Sequence, residues 1–209
     1  MVFEKEFKEA IMNLPEKEKD KLLLRLLKKD IPLANQLYFD LVSTQTVEER
    51  RTELEALVKE RAENIRSRSA SIQHLLLLTR SLSGDITVQT KVTKDKFGEI
   101  SLNLLMLNEI LKSTKLQTSF FSRAKASKFA VYVVARTFKL LVMIGAMHED
   151  YLSDFKEDLE TLGERIGKHD LLMRTAIQHG LDVNWLLSGE IPQDIKQRQD
   201  ALKKQGFLK

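Results

Sequence analysis

Apolar residues recur every three or four positions along almost the whole chain, and that spacing predicts helices. Near the start, Phe3, Phe7, Ile11 and Leu14 share one helical face. Pro15 follows where a first-turn proline is tolerated, with Glu16 and Glu18 behind it to suit the helix dipole. Leu22, Leu23, Leu26 and Leu27 form the next stripe, closed by Lys28 and Lys29. Pro32 opens a third short helix carrying Leu33, Leu37, Tyr38, Phe39 and Leu41. Residues 1–45 are therefore expected to form a compact N-terminal helical cap.

From Thr46 to Leu82 the pattern is one long helix. Thr46 with Glu49 matches a capping box, a hydroxyl at the cap and a carboxylate three residues on. Glu55 and Lys59 sit at i, i+4 on its charged side, while Leu54, Val58, Ile65, Ile72, Leu75 and Leu76 give the buried side. Ser67, Ser69, Ser71 and Ser81 weaken the second half and leave room for a break, and Ser83-Gly84-Asp85 is expected to end it. Ile86, Val88, Thr90 and Val92 alternate as a strand would, but no second strand exists to pair with. Residues 86–97 are expected to be a loop or a short helix. Helices are then expected from Phe97 to Lys112, from Thr118 to Met147, from Tyr151 to Ile166, from Asp170 to His179 and from Asn184 to Ser188. Gly180 and Gly189 stop the last two. The fold class expected is all-α: an antiparallel helical bundle over 46–191 centred on 118–147, with the cap at 1–45 and a polar C-terminal tail at 192–209 that forms one mobile helix.

Composition supports this and narrows the chemistry. The chain has 209 residues, eight glycines, three prolines and no cysteine, so helix breakers are few and disulfides, thiolate metal sites and thiol nucleophiles are excluded. A reducing cytoplasm suits such a chain. Met1 to Glu6 has no apolar stretch behind a basic start, so no secretory leader is expected. Phe129 to Met147 is the most membrane-like run, but Arg136 and Lys139 near its middle are costly in lipid, and a buried bundle helix is expected instead.

Charge adds the best functional lead. The net charge of +4 hides a local asymmetry. No Asp or Glu occurs from Ile110 to Met147, against seven bases: Lys112, Lys115, Arg123, Lys125, Lys128, Arg136 and Lys139. Lys125, Lys128, Tyr132, Arg136 and Lys139 follow steps of three and four, which places them on one stripe of an otherwise apolar helix. Such a stripe suits an anion: RNA, DNA, a nucleotide or an acidic protein partner, with Tyr132 as a stacking ring. The competing expectation is that the acidic helix after it, across a short connection near His148, neutralises the stripe internally.

Other chemistry is sparse. His74, His148, His169 and His179 show no tight zinc spacing, and there is no phosphate-binding glycine loop or nucleophile elbow. Glu60-x-x-Glu63 and Glu157-x-x-Glu160 have the local spacing by which all-helical nucleoside triphosphate pyrophosphatases hold magnesium, although the second pair lacks the usual aspartate.

Two stretches carry resemblances. Asn13-Leu14-Pro15-Glu16-Lys17-Glu18-Lys19-Asp20-Lys21-Leu22-Leu23, with Arg25-Leu26-Leu27-Lys28-Lys29-Asp30 and Thr93 to Asn103, resembles a helical family of Bacteroidetes-type bacteria, some members of which carry the name deoxyuridine triphosphate nucleotidohydrolase. The resemblance covers the first half of the chain or more and implies nucleotide hydrolysis without assigning it to residues. Ala176-Ile177-Gln178-His179-Gly180-Leu181-Asp182-Val183-Asn184-Trp185-Leu186-Leu187-Ser188-Gly189-Glu190 resembles the closing helices of phage-repressor-type helix-turn-helix domains, in which this part packs the core and the reading helix lies upstream. The leading expectation is a non-catalytic cytoplasmic interaction protein, without cofactor and not in a membrane, that binds an acidic partner or nucleic acid through its basic face. A homo-oligomer is compatible with this. The alternatives are a magnesium-dependent dUTP-like pyrophosphatase using Glu60, Glu63, Glu157 and Glu160, and a DNA-binding regulator.

Overall fold

A computed structural model of the chain describes residues 3–69, 71–112 and 123–208. Among them there are eleven α-helices and no strand. Three short helices come first: α1 (Lys5–Met12), α2 (Glu16–Leu27) and α3 (Ile31–Leu41). Four long ones follow: α4 (Val47–Arg68), α5 (Ile72–Val92), α6 (Lys96–Leu111) and α7 (Arg123–Ile144). Single 3-10 turns at Glu149–Tyr151 and Ser153–Phe155 lead into α8 (Lys156–Gly167), α9 (Asp170–Gln178), α10 (Asn184–Ser188) and α11 (Ile195–Lys204). The all-α expectation is met.

The capping box at α4 forms in both directions. Thr46 Oγ1 accepts from the Glu49 N–H at 3.1 Å, and Glu49 Oε2 accepts from the Thr46 N–H at 2.8 Å. The serine-rich stretch does break the long pattern, between Arg68 and Ile72, and the Ser71 side chain restarts it by accepting from the His74 N–H at 3.2 Å.

The expected stop at Ser83-Gly84-Asp85 is not there, nor is a loop at 86–92: α5 runs straight through to Val92. Gly84 lies on the exposed side, where it costs only about 1 kcal/mol relative to alanine. Burial of Leu82, Ser83 and Ile86 around it outweighs that. The alternation that mimics a strand is two helical faces read together. Ile86 and Thr90 are buried at i, i+4, with Thr90 Oγ1 donating back to the Ile86 carbonyl at 2.9 Å, while Val88 is exposed.

The centre of the bundle is α6 rather than α7. No residue from Phe97 to Leu111 is exposed. Its start is fixed by Asp95, whose carboxylate accepts from the Gly98 N–H at 2.8 Å and from Arg51 Nε and Nη2 at 2.7 and 2.9 Å. A Cβ at position 98 would lie 2.1 Å from Asp95 Oδ2, so this close approach requires glycine. Arg51 also lies over the Phe97 ring, 4.7 Å from its centroid. α4 runs parallel to α6, with Arg51 at Asp95 and Arg66 at Glu109. α5 and α7 run antiparallel to it.

α7 is described from Arg123; the expected start at Thr118 lies outside the described residues. It packs mainly on α5, α6, α9 and α11. The acidic helix α8 packs instead on α6, α9 and α10, so it is not the internal partner expected for the basic stripe. Among the described residues no helix is long and apolar enough to cross a membrane. Trp185 meets Phe138 edge-on with ring centroids 6.2 Å apart, which ties α10 to α7. The helix expected after Pro192 forms as α11, but it is docked: it packs on α7 and buries Ile195 and Gln199.

The first 45 residues depart furthest from expectation. Their three helices form, but none of them buries a residue. α3 packs on α5, and Asp40 pairs with Lys94 at 2.8 Å.

Candidate anion-binding cleft

The five residues of the basic stripe separate into two groups. Arg136 is engaged inside the bundle, and Lys139, which stays exposed, is engaged at its surface. Arg136 Nη2 donates to Asn103 Oδ1 at 2.8 Å and to Ser83 Oγ, and its Nε reaches the same Asn103 oxygen at 3.2 Å. Burial pulls the Arg136 guanidinium below its usual range, against the opposing pull of Tyr132 and Glu99. Lys139 lies 3.6 Å from Glu99 on α6. These two cations meet polar groups of the central helix, not the acidic helix after it.

Lys125 and Lys128, in the first turns of α7, are exposed and share a cleft with the first half of α5. α5 and α7 run side by side in the same direction, as Arg80 over Tyr132 and Ser83 beside Arg136 show. Their N-terminal turns diverge enough to leave a cavity of about 590 Å³. Arg80, Lys125 and Lys128 line it, with Leu76 and Leu77 as an apolar floor and Ser71, Gln73 and His74 at one end. That end is the N-terminus of α5, where the helix dipole is positive and first-turn N–H groups lack intrahelical acceptors. No carboxylate is among the described residues lining the cavity.

A second cavity of about 390 Å³ shares Arg80 and Lys128 and extends the cleft along α7 to Val131, Tyr132, Ala135 and Leu208. Tyr132 is not a free stacking ring. The Arg80 guanidinium covers it, 5.4 Å from the centroid, and its buried hydroxyl has no hydrogen-bond partner. Its contribution is to hold Arg80 over the cleft. Lys115 and the Arg123 side chain lie outside the described residues.

Sequence reasoning missed Arg80 and the start of α5. The signal was present: Ser71 followed by an apolar run is a helix start, and Gln73, Leu76, Leu77 and Arg80 then fall on one face. The apolar pattern that continues over 46–82 masks it, although the serines leave room for a break.

The four glutamates do not assemble. Glu60 and Glu63 are exposed on α4, and Glu63 pairs with Arg66 at 3.7 Å. Glu157 and Glu160 are exposed on α8. Among the described residues no group of three or more His, Cys, Asp or Glu is placed to hold a metal ion. The acid that α8 turns toward α4 is Asp158, held above the usual carboxylate range first by burial and then by repulsion from Glu157 and Glu55. Lys59 and Arg165 also act on it, so this is a mixed-charge contact rather than a carboxylate cage. The helix ahead of the repressor-like stretch is α8, whose exposed Glu157, Glu160 and Glu164 would repel a phosphate backbone. Comparison with family models, with curated proteins and with solved structures finds no match.

Proposed function

We propose that the protein is a binding protein for a phosphate-bearing small molecule, held in the cleft between the N-terminal turns of α5 and α7. The observation that carries this is the lining of the cleft: three cationic side chains and a helix N-terminus around one cavity, with no described carboxylate to neutralise them. Arg80 offers a bidentate fork, and Lys125 and Lys128 are mobile point charges, a pairing that suits phosphate oxygens. The volume of about 590 Å³ falls within the roughly 300–1,000 Å³ of small-molecule sites. Leu76 and Leu77 give a base or other apolar moiety a surface to lie on.

A nucleic acid is the weaker fit. Non-specific affinity for a duplex draws on about six to ten phosphate contacts, and the described residues of the cleft supply three cations with one aromatic, already covered. Among the described residues the lining is cationic and apolar, which is what binding a phosphate-bearing molecule requires.

Calorimetry with inorganic pyrophosphate, ATP and a single-stranded oligonucleotide tests it. Pyrophosphate and ATP are expected to bind. The double variant Arg80→Ala/Lys128→Ala is expected to weaken both by about tenfold or more, the scale of losing two charge-assisted contacts. Lys59→Ala, on the α4 surface, is expected to change nothing. Absence of binding by either phosphate probe, or equal binding by the double variant, would sink the reading. Tight oligonucleotide binding with no ATP binding would replace it with the nucleic-acid reading.

A further inference from the structure

The N-terminal helices have a face without an interior. α1, α2 and α3 bury no residue, yet residues 3–42 carry twelve of the eighteen large apolar side chains exposed among the described residues. Phe7, Met12, Leu24, Ile31, Tyr38 and Leu41 are each more than half exposed. At roughly 100 Å² apiece the twelve amount to about 1,200 Å² of exposed apolar surface, of which about two thirds on one side would reach the ~800 Å² that each partner gives to a stable dimer. Helices of eight, twelve and eleven residues are also marginal in water without an apolar face to pack against. Something must cover this surface for the helices to persist.

Charge decides what. Residues 3–42 carry eight Asp or Glu and eight Lys or Arg, so the module is electrically neutral. The signs are interspersed, with Lys5 beside Glu9 and Glu18 beside Lys21. Such a surface has no net attraction for anionic lipid, nucleic acid or a strongly charged protein. It meets a copy of itself without like-charge cost, which is what an isologous contact needs. Two copies also double the apolar side chains available to a core that about forty residues cannot build alone.

We propose that α1–α3 form the interface of a homodimer, pairing with the same three helices of a second copy of this chain around the α2 leucines Leu23, Leu24 and Leu26. The α4–α11 bundles then stand outside the interface, each with its own cleft.

Light scattering on the full chain reads the outcome directly. The expected mass is twice 24.1 kDa, constant over a range of micromolar concentrations. Leu23→Glu/Leu26→Glu is expected to give a monomer whose bundle still melts cooperatively, while Leu23→Met/Leu26→Met stays dimeric. The chain has no cysteine, so Leu24→Cys adds a unique thiol. Its maleimide labelling is expected to slow severalfold as protein concentration rises from the nanomolar range, below the dissociation constant, into the micromolar range where the dimer is full. A wild-type chain that stays at 24.1 kDa at the highest concentration, or a mass that climbs without plateau, overturns the proposal. So does a thiol at position 24 that labels at the same rate at every concentration, whatever the glutamate variant does to folding.

Discussion

α2 and α6 are both leucine-rich helices with a clear apolar stripe, and they end in opposite situations. From Phe97 to Leu111, α6 has no exposed residue, whereas α2 has no buried one. The stripe says which side of a helix avoids water; it does not say what covers that side. In α6 the cover comes from α4, α5, α7 and α8, and even the polar residues are engaged: Asn103 holds Arg136, and Asn108 donates to the Asp158 carbonyl at 3.0 Å. In α2 the polar half is a run of alternating charge, and the apolar half faces out. One helix is complete within the protomer and the other is not.

Truncation of a large side chain tests this contrast with the largest effect. Phe129→Ala, at a fully buried ring of α7, is expected to cost about 3–5 kcal/mol in urea denaturation at any protein concentration. Leu24→Ala on α2 should cost no more than about 0.5 kcal/mol in a protomer whose α2 face meets only water. If a second copy covers that face, the cost rises to about 1–3 kcal/mol and depends on protein concentration. Equal, concentration-independent losses at both sites would break the distinction between the two regions.

A second test lies inside the bundle, where α6 uses polar contacts as well as apolar ones. Asn103 is fully buried, and its Oδ1 accepts from Arg136 and from Ser83 Oγ, the latter at 2.9 Å. Its Nδ2 donates to the Glu99 carbonyl at 2.6 Å. Asn103→Ala leaves the Arg136 guanidinium short of an acceptor in a desolvated place, and is expected to cost about 2–3 kcal/mol. Arg136→Met removes the charge together with its demand and is expected to cost less. Urea titrations of the two variants rank them. The reverse order would mean that the cation itself, rather than its satisfaction, holds α5, α6 and α7 together.

The same contrast explains what could be read from the sequence. Helix existence was legible almost throughout, because capping and periodicity are local: Thr46 with Glu49, and Gly189 at φ 73°, are where the pattern puts them. Burial was less legible, because it is set by neighbours far along the chain. Lys125, Lys128, Arg136 and Lys139 share one helical stripe, yet two face a cleft and two face α6. Nothing in their spacing separates them; the positions of Asn103 and Glu99 on another helix do. The shared face of Gln73, Leu76, Leu77 and Arg80 is legible, but Arg80 becomes a site residue only when α5 lies parallel to α7.

The smallest expected effect concerns how the C-terminus closes the cleft. The Leu208 N–H donates to His179 Nδ1 at 3.0 Å, and Leu208 lines the far end of the cleft beside Tyr132. Leu208 has φ 62°, a left-handed conformation costly for leucine, so this contact holds a strained residue in place. The bond needs a neutral imidazole. Partial burial lowers the His179 pKa from 6.5, so the folded state binds fewer protons than the unfolded one. The stabilisation is therefore complete above pH 6.5 and fades as pH falls through the lowered value. Global melting should barely move, because His179 is only partly buried. The Leu208 amide resonance should titrate with the His179 ring between neutral and mildly acidic pH, and in His179→Leu it should sit at its released position at every pH. If release also weakens pyrophosphate binding in the cleft, the C-terminus belongs to the site. If binding is unchanged, the site ends at Arg80 and the two lysines.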